Sequence, residues 1–150
     1  MKKLLILISV LALTLCGVAG AATNGKKTSG IAYAGITHVE GNDLFVSGDI
    51  KDKVLGRGAI VYITRVSAGN DPGTYKVDAK RITIYTTKGT LAGTGSGLET
   101  IHDDGSADVS DGKFNLTKGT GAYKGHTFKG TFSGPQKNGV YKFSYKAVFK

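Results

Sequence analysis

The chain has 150 residues, enough for one domain, and its 23 glycines follow no three-residue period, which excludes collagen. Its apolar share of 40% and aromatic share of 9% exclude wholesale disorder. The net charge of +9 comes from 17 lysines and 3 arginines that are scattered along the sequence rather than clustered. This scatter is typical of a solvated surface, and we predict no nucleic-acid partner.

The first segment, residues 1–21, is predicted to be a secretory signal peptide. Two lysines precede an apolar run over residues 4–16, and residues 19–21 have the A-x-A pattern of a cleavage site. The run is shorter than the roughly 20 residues that span a bilayer, so we predict no transmembrane segment and a secreted or periplasmic protein. Lipoprotein anchoring at Cys16 is the less favoured alternative, because Leu15 stands where a lipidation signal has a small residue.

Residues 22–30 are polar and contain glycine, and they are predicted to be a flexible leader before a single domain over residues 31–150. This domain contains no cysteine, so burial and sheet hydrogen bonds must stabilise it without disulfides. Turn signals recur at short intervals and helical periodicity is nearly absent, which favours an all-β fold. Eight strands are predicted, at residues 31–40, 43–50, 57–66, 73–86, 89–98, 108–117, 126–133 and 139–149.

The last predicted strand alternates most regularly, with aromatic side chains at every second position and lysine or serine between them. In the fourth strand the alternation slips, because Ala79 and Ile82 are both apolar but have opposite parity. One extra residue near Lys80-Arg81, a β-bulge, would return both side chains to the same face. Short strands of this kind hide their edges by closing, so we predict an eight-stranded antiparallel β-barrel, with an open two-sheet sandwich as the alternative.

The second half resembles a known family in its glycine-rich turns. Residues 116–133 read LTKGTGAYKGHTFKGTFS, and residues 119–125 (GTGAYKG) match a Gly-[ST]-Gly-x-[FY]-x-Gly turn of the allene oxide cyclase and dirigent barrel superfamily. Residues 73–95 are similar to paired strands of the same superfamily, so the likeness covers roughly residues 73–149. The resemblance implies an eight-stranded barrel, often a trimer, like small secreted bacterial members of unassigned activity.

The cyclase site of that family does not carry over to this sequence. Glu40-Gly41-Asn42 imitates its Glu-x-Asn element, but no Ser-Pro follows and the domain lacks the family's pocket cysteine. The pocket aspartates and arginine of dirigent proteins cannot be placed here residue by residue. The glycines of the matched turn permit positive φ and close backbone approach, so Tyr123 between them is predicted to cover one barrel end.

The candidate binding site is the set of aromatic side chains on the apolar faces of the predicted strands. Packed together, they would simply form a core that fills the lumen. If one end is open, hydroxyls beside phenyl rings would suit a small apolar or aromatic ligand. The set is Tyr62, Tyr85, Phe128, Phe132, Tyr141, Phe143 and Tyr145.

Neither a catalytic constellation nor a metal or cofactor site is predicted. The three histidines lack zinc-site spacing, and the aspartate-rich residues 103–112 fail the calcium-loop pattern because Val109 takes a ligand position. We therefore predict a secreted, non-catalytic small-molecule-binding barrel. A cyclase or isomerase acting on a lipid-derived or phenolic intermediate is the first alternative, and an envelope module that binds anionic polymers is the second.

The cyclase alternative requires an ionisable side chain buried beside the aromatic rings. The candidates for that position are Glu40, Asp49, Asp78 and Arg81.

Overall fold

Alternating apolar and polar side chains build eight strands in the computed structural model, which describes residues 25–150. The strands are β1 (Lys26–Glu40), β2 (Asp43–Asp52), β3 (Gly56–Ala68), β4 (Thr74–Thr86), β5 (Gly89–Ile101), β6 (Ala107–Gly119), β7 (Phe128–Lys137) and β8 (Val140–Phe149). A short 3₁₀ helix, Gly121–Tyr123, connects β6 to β7. The predicted signal peptide and Cys16 lie outside the described residues.

Each strand pairs antiparallel with the next in sequence, and β8 pairs with β1 from Lys26↔Phe149 to Gly35↔Val140. The sheet is therefore a closed barrel, which confirms the predicted architecture and excludes the open sandwich. Closure leaves neither β1 nor β8 as an exposed edge. Within residues 25–150, no helix is long and apolar enough to cross a membrane.

The predicted flexible leader is wrong from residue 26 onward, because residues 26–30 form the beginning of β1 and pair with β8. Thr28 is buried and its hydroxyl donates to Asp52, 3.0 Å from each carboxylate oxygen. The polar composition of this segment resembled a leader, but its inward-facing threonine has a buried partner that lies 24 residues further along the chain.

The predicted bulge in β4 is confirmed. Ala79 pairs with Gly95 and Ile82 with Gly93, so two residues of β4 oppose one residue of β5. Both Ala79 and Ile82 are buried in the barrel core as a result. The predicted turn at Gly41-Asn42 is also present, with Gly41 at a φ of +57°.

One end of the barrel, the plug end, contains the 3₁₀ helix and the β2–β3 and β4–β5 turns. Tyr123 covers this end as predicted: it is 5% exposed, and its ring packs edge-on to Phe149 at a centroid distance of 5.9 Å. Its hydroxyl lies 3.0 Å from Thr86 Oγ1. A Cβ at Gly119 would stand 1.9 Å from the Tyr123 carbonyl oxygen, so glycine is required for this close approach.

The opposite end, the mouth end, contains the four tight hairpins that join β1–β2, β3–β4, β5–β6 and β7–β8. Toward the plug end the core is packed solid, and Leu91, Leu116 and Phe128 have no exposed surface. Toward the mouth end the inward side chains Leu44 and Val66 are only partly buried. The interior is therefore closed at one end and more open at the other.

Candidate functional site

The lumen contains a cavity on the mouth side of the packed core. The part of this cavity that the centre of a water molecule could occupy has a volume of about 90 Å³. Its walls are almost entirely apolar and come from inward-facing side chains of all eight strands. Its lining runs from Leu116 and Phe128 in the packed core to Leu44 and Val66 near the mouth, so the aromatic side chains line the lumen without filling it.

Six of the seven predicted site residues line this cavity: Tyr62, Phe128, Phe132, Tyr141, Phe143 and Tyr145. The inward placement of Tyr85 is wrong, because its side chain is 46% exposed on the outside of the barrel. The bulge in β4 turns Ile84 inward, and its neighbour Tyr85 must then point outward.

The rings pack in geometries that stabilise aromatic clusters. Phe132 meets Phe143 edge-on at a centroid distance of 5.3 Å, and Tyr141 stacks on Phe143 at the same distance. Phe114, which the sequence analysis did not single out, stands edge-on to Tyr145 at 5.9 Å and also lines the cavity. These rings form a continuous apolar wall from β6 to β8.

Glu99 is the ionisable side chain in the cavity wall, and sequence reasoning missed it. It is 8% exposed, and Oε1 accepts a 2.8 Å hydrogen bond from the Tyr141 hydroxyl. The predicted fifth strand ended at residue 98, whereas β5 continues through Glu99 to Ile101. Leu91 of β5 is buried, and every second residue after it, which means three glycines and then Glu99, has the same parity. The alternation of β5 therefore predicts that Glu99 faces inward.

Two tyrosine hydroxyls accompany Glu99. Burial raises the pKa of Tyr141, and the hydrogen bond to Glu99 and the charge of that residue raise it further. Burial also raises the pKa of Tyr62, with smaller contributions from Tyr141 and Glu99. Both hydroxyls are therefore protonated at neutral pH, and that of Tyr141 donates to Glu99.

Thr64 adds an unsatisfied polar group to the same cavity. Its side chain is 3% exposed, and Oγ1 has no hydrogen-bond partner among the described residues. Gln136 Oε1 is likewise buried without a partner within the described part of the chain. A buried polar atom without a hydrogen bond costs free energy, which a bound polar group or water would recover.

The four ionisable residues singled out for the cyclase alternative are wrong candidates. Glu40, Asp49, Asp78 and Arg81 are all exposed on the outer surface or at its hairpins. Their parity explains this, since each alternates with an inward-facing apolar neighbour or lies at a strand end. The Glu40-Gly41-Asn42 element also lies in a hairpin, outside the lumen.

The three histidines lie apart and have different partners, and His126 Nδ1 is 2.9 Å from the Lys150 carbonyl oxygen. His102 Nε2 lies 2.9 Å from Asp108 Oδ2 at the exposed β5–β6 turn. His126 stacks on Phe149 at a centroid distance of 4.8 Å, and His38 packs on Phe45 at 5.3 Å. Within residues 25–150, no three His, Cys, Asp or Glu side chains are grouped so that they could hold a metal ion.

The lysines are scattered along the sequence, but strand pairing places seven of them on five neighbouring strands. These seven lysines are exposed, and they lie on or next to strands that are neighbours in the barrel. Together they form one region of its outer surface. We call this surface the basic wall, and it comprises Lys27, Lys51, Lys53, Lys113, Lys129, Lys142 and Lys146.

Comparison of the chain with models of known protein families and with curated proteins found no match. The resemblance to the allene oxide cyclase and dirigent superfamily therefore stays a prediction from the sequence.

Proposed function

We propose that this protein binds a small, mainly apolar molecule in the barrel lumen and holds a hydrogen-bond-donating group of that molecule against Glu99. The observation that carries this proposal is a buried carboxylate in the wall of a mainly apolar cavity. We also propose, from the sequence, that the chain is exported and that residues 1–21 are removed.

The size and lining of the cavity favour one ring or a short chain. A single water molecule needs roughly 10–15 Å³ of space measured in this way, and the cavity has about 90 Å³. Phe132 and Phe143 offer ring faces and edges to an aromatic ligand. Removing such a ligand from water is favourable in proportion to the apolar area it buries.

The polar groups define the orientation of the ligand. The Tyr141 hydroxyl donates a hydrogen bond to one of the two carboxylate oxygens of Glu99, so the other oxygen can accept a further hydrogen bond. Thr64 Oγ1 can satisfy a second polar atom of the ligand. A ligand with a hydroxyl or ammonium head group meets both requirements, whereas a hydrocarbon would leave them unmet.

Charge around the mouth favours an ammonium over a hydroxyl. Arg65, Lys76, Lys80 and Lys137 lie near this end, but acidic side chains outnumber them. A negative rim attracts cations toward the cavity. The acidic residues in or beside the mouth hairpins are Glu40, Asp43, Asp71, Asp103, Asp104 and Asp108.

Calorimetric titration with toluene, benzyl alcohol and benzylamine tests the proposal. We expect saturable binding that strengthens in that order. Ala79→Ile, which fills the lumen, should weaken benzylamine binding about tenfold or more, while Ala59→Ile on the outer face should leave it unchanged. Equal binding by the two variants, or no binding of any probe to the wild-type protein, would contradict the proposal.

A cyclase or isomerase is our second candidate, because Glu99 supplies the buried ionisable group that such a site needs. The enclosed aromatic wall would confine a lipid-derived or phenolic intermediate. Generating a short-lived allene oxide beside the protein and measuring the enantiomeric excess of the cyclised product tests this candidate. The excess should disappear in Glu99→Gln and persist in the surface control Glu40→Gln; a racemic product with wild-type protein excludes it.

We also propose, from the resemblance, that the barrel self-associates as a trimer. Val61 and Tyr85 on neighbouring strands are 41% and 46% exposed, which is consistent with a covered outer surface. Light scattering of the purified protein should give three times the mass of one chain, and a monomer mass would reject this proposal.

A further inference from the structure

We propose that the basic wall binds an anionic polysaccharide. This inference concerns the outside of the barrel and is independent of any ligand in the lumen. It rests on the arrangement of lysine and hydroxyl side chains that strand pairing brings together across β2, β1, β8, β7 and β6.

One row of the wall crosses all five strands. The Lys53 amide donates to the Ser29 carbonyl, and Ser29 pairs with Lys146 on β8. Lys146 in turn pairs with Thr131 on β7, and Thr131 pairs with Lys113 on β6. Because neighbouring strands are about 4.8 Å apart, these lysines repeat at intervals of roughly 10 Å with a hydroxyl between each pair.

A second row runs parallel to the first. Lys51 pairs with Ile31, Ile31 with Ser144, and Ser144 with Ser133. This second row carries a single lysine, so positive charges repeat across the strands in the first row and along the chain from Lys51 to Lys53. The wall's seven lysines outnumber the exposed or half-buried acids of the same five strands, which are Glu40, Asp43, Asp49, Asp108 and Asp111.

The two rows border a groove, which distinguishes this wall from a flat basic surface. The groove has about 850 Å³ open to the centre of a water molecule. It forms where β6 bulges at Asp111, a residue with φ of +50°, and its sides include Lys53 and Lys113. A linear polymer can lie in such a groove, whereas a planar lipid surface would touch only its rims.

The chemistry of the groove suits a sugar chain that carries negative groups. Lysine ammonium groups attract carboxylates or sulfates, and Ser29, Thr131 and Ser144 can both donate to and accept from sugar hydroxyls. Beside the groove, Ile31 and Tyr33 are 40% and 48% exposed and offer apolar surface to the faces of sugar rings.

Binding of fluorescently labelled polygalacturonate and dextran sulfate, with neutral dextran as control, tests this inference. We expect anisotropy titrations to show binding of both charged polymers, weakening as salt is raised, and none of neutral dextran. The triple variant Lys53→Gln, Lys113→Gln, Lys146→Gln should lower the affinity about tenfold or more. All three side chains are exposed, and circular dichroism should show that the fold is kept.

The matched control removes three positive charges elsewhere: Lys76→Gln, Arg81→Gln, Lys137→Gln, all on exposed side chains outside the groove. It should change the affinity by less than about threefold. Equal losses in the two triple variants would overturn the inference, because binding would then follow net charge alone. Absence of binding would overturn it too, as would tighter binding of phosphatidylglycerol vesicles or single-stranded DNA than of either charged polymer.

Discussion

Asp52 is a buried carboxylate that joins four groups at the plug end. It is 5% exposed and accepts hydrogen bonds from the Thr28 and Tyr145 hydroxyls and from the amides of Val54 and Leu55. These partners come from β1, β8 and the β2–β3 turn. A single side chain therefore connects β1 and β8, the two strands whose pairing closes the barrel, to the β2–β3 turn.

Replacing Asp52 should cost far more than replacing an exposed aspartate. We expect Asp52→Ala to lower the free energy of unfolding by about 2–4 kcal/mol, because four buried donors lose their acceptor. The control Asp49→Ala, on the outer face of the same strand, should change it by less than about 0.5 kcal/mol. Urea denaturation measures both values, and similar losses in the two variants would contradict the role given to Asp52.

The buried tyrosine hydroxyls predict a loss of stability in alkali. Burial raises the pKa of Tyr62 above its ordinary value of 10.0, so the unfolded chain loses this proton first. The stabilisation is complete below pH 10 and falls as the pH rises toward the pKa of the folded state. Tyr141 and Tyr145 shift in the same direction and add to the effect.

Guanidinium unfolding between pH 8 and 11.5 checks this prediction. Tyr62→Phe should make the fall in stability above pH 10 shallower by up to about 1.4 kcal/mol per pH unit, because one titrating group is gone. Tyr85→Phe, which alters an exposed ring, should leave the slope unchanged, and lysine titration is common to all three proteins. Parallel slopes for wild type and Tyr62→Phe would refute the assignment.

At the level of elements, the bulge of β4 decides which side chains enter the lumen. Ala79 and Ile82 are three positions apart, so a regular strand would place them on opposite faces, and the bulge lets both lie on the inner face. Deleting Lys80 would restore strict alternation and keep both inside, at the cost of the exposed ion pair between Lys80 and Asp43.

We expect the Lys80 deletion to fold and to lose about 1–2 kcal/mol of stability. Deleting Ser144 from the regular strand β8 should instead prevent folding, because it sends the inward residues on one side of the deletion to the outer face. Circular dichroism and urea denaturation distinguish the two deletions. A folded Ser144 deletion beside an unfolded Lys80 deletion would contradict the register described here.

Strand positions were largely predictable because period-two alternation and hairpin turns are local signals. The ends of the strands were less predictable, because they depend on pairing with residues that are distant in sequence. The seventh strand was predicted to end at residue 133, before Pro135, yet β7 continues to Lys137. Pro135 pairs with Asp108 on β6, but the β7–β8 pairing is interrupted at Gly134 and Pro135, between Ser133↔Ser144 and Gln136↔Tyr141. A proline, which has no N–H to donate, is tolerated at such a gap in the β7–β8 ladder.

The candidate site was predictable only in part, for a similar reason. Alternation placed six aromatic side chains in the lumen, but the polar partners of the cavity come from strands far apart in the chain. Glu99 and Tyr141 are separated by 42 residues and meet only when the barrel closes. The basic wall was not predictable for the same reason. Its lysines lie on separate strands, and only the pairing register of those strands brings them together on one surface.

At the scale of the whole molecule, the two proposed sites face different directions. The lumen is more open at the mouth end, where acidic side chains outnumber basic ones, while the basic wall lies on the side of the barrel. The groove could hold a polymer without covering the mouth. Binding of a polysaccharide outside and of a small molecule inside are therefore geometrically compatible, and each can be tested with the other absent.

Occupancy of the lumen is the central claim, and nuclear magnetic resonance of aromatic and methyl groups tests it most directly. Benzylamine added to the labelled protein should shift the ring signals of Phe132 and Phe143 and the methyl signal of Thr64, with saturation at one molecule per chain. The exposed ring of Tyr85 should not respond. Shifts confined to surface groups such as Tyr85, or lumen signals that stay fixed at saturating benzylamine, would contradict the account.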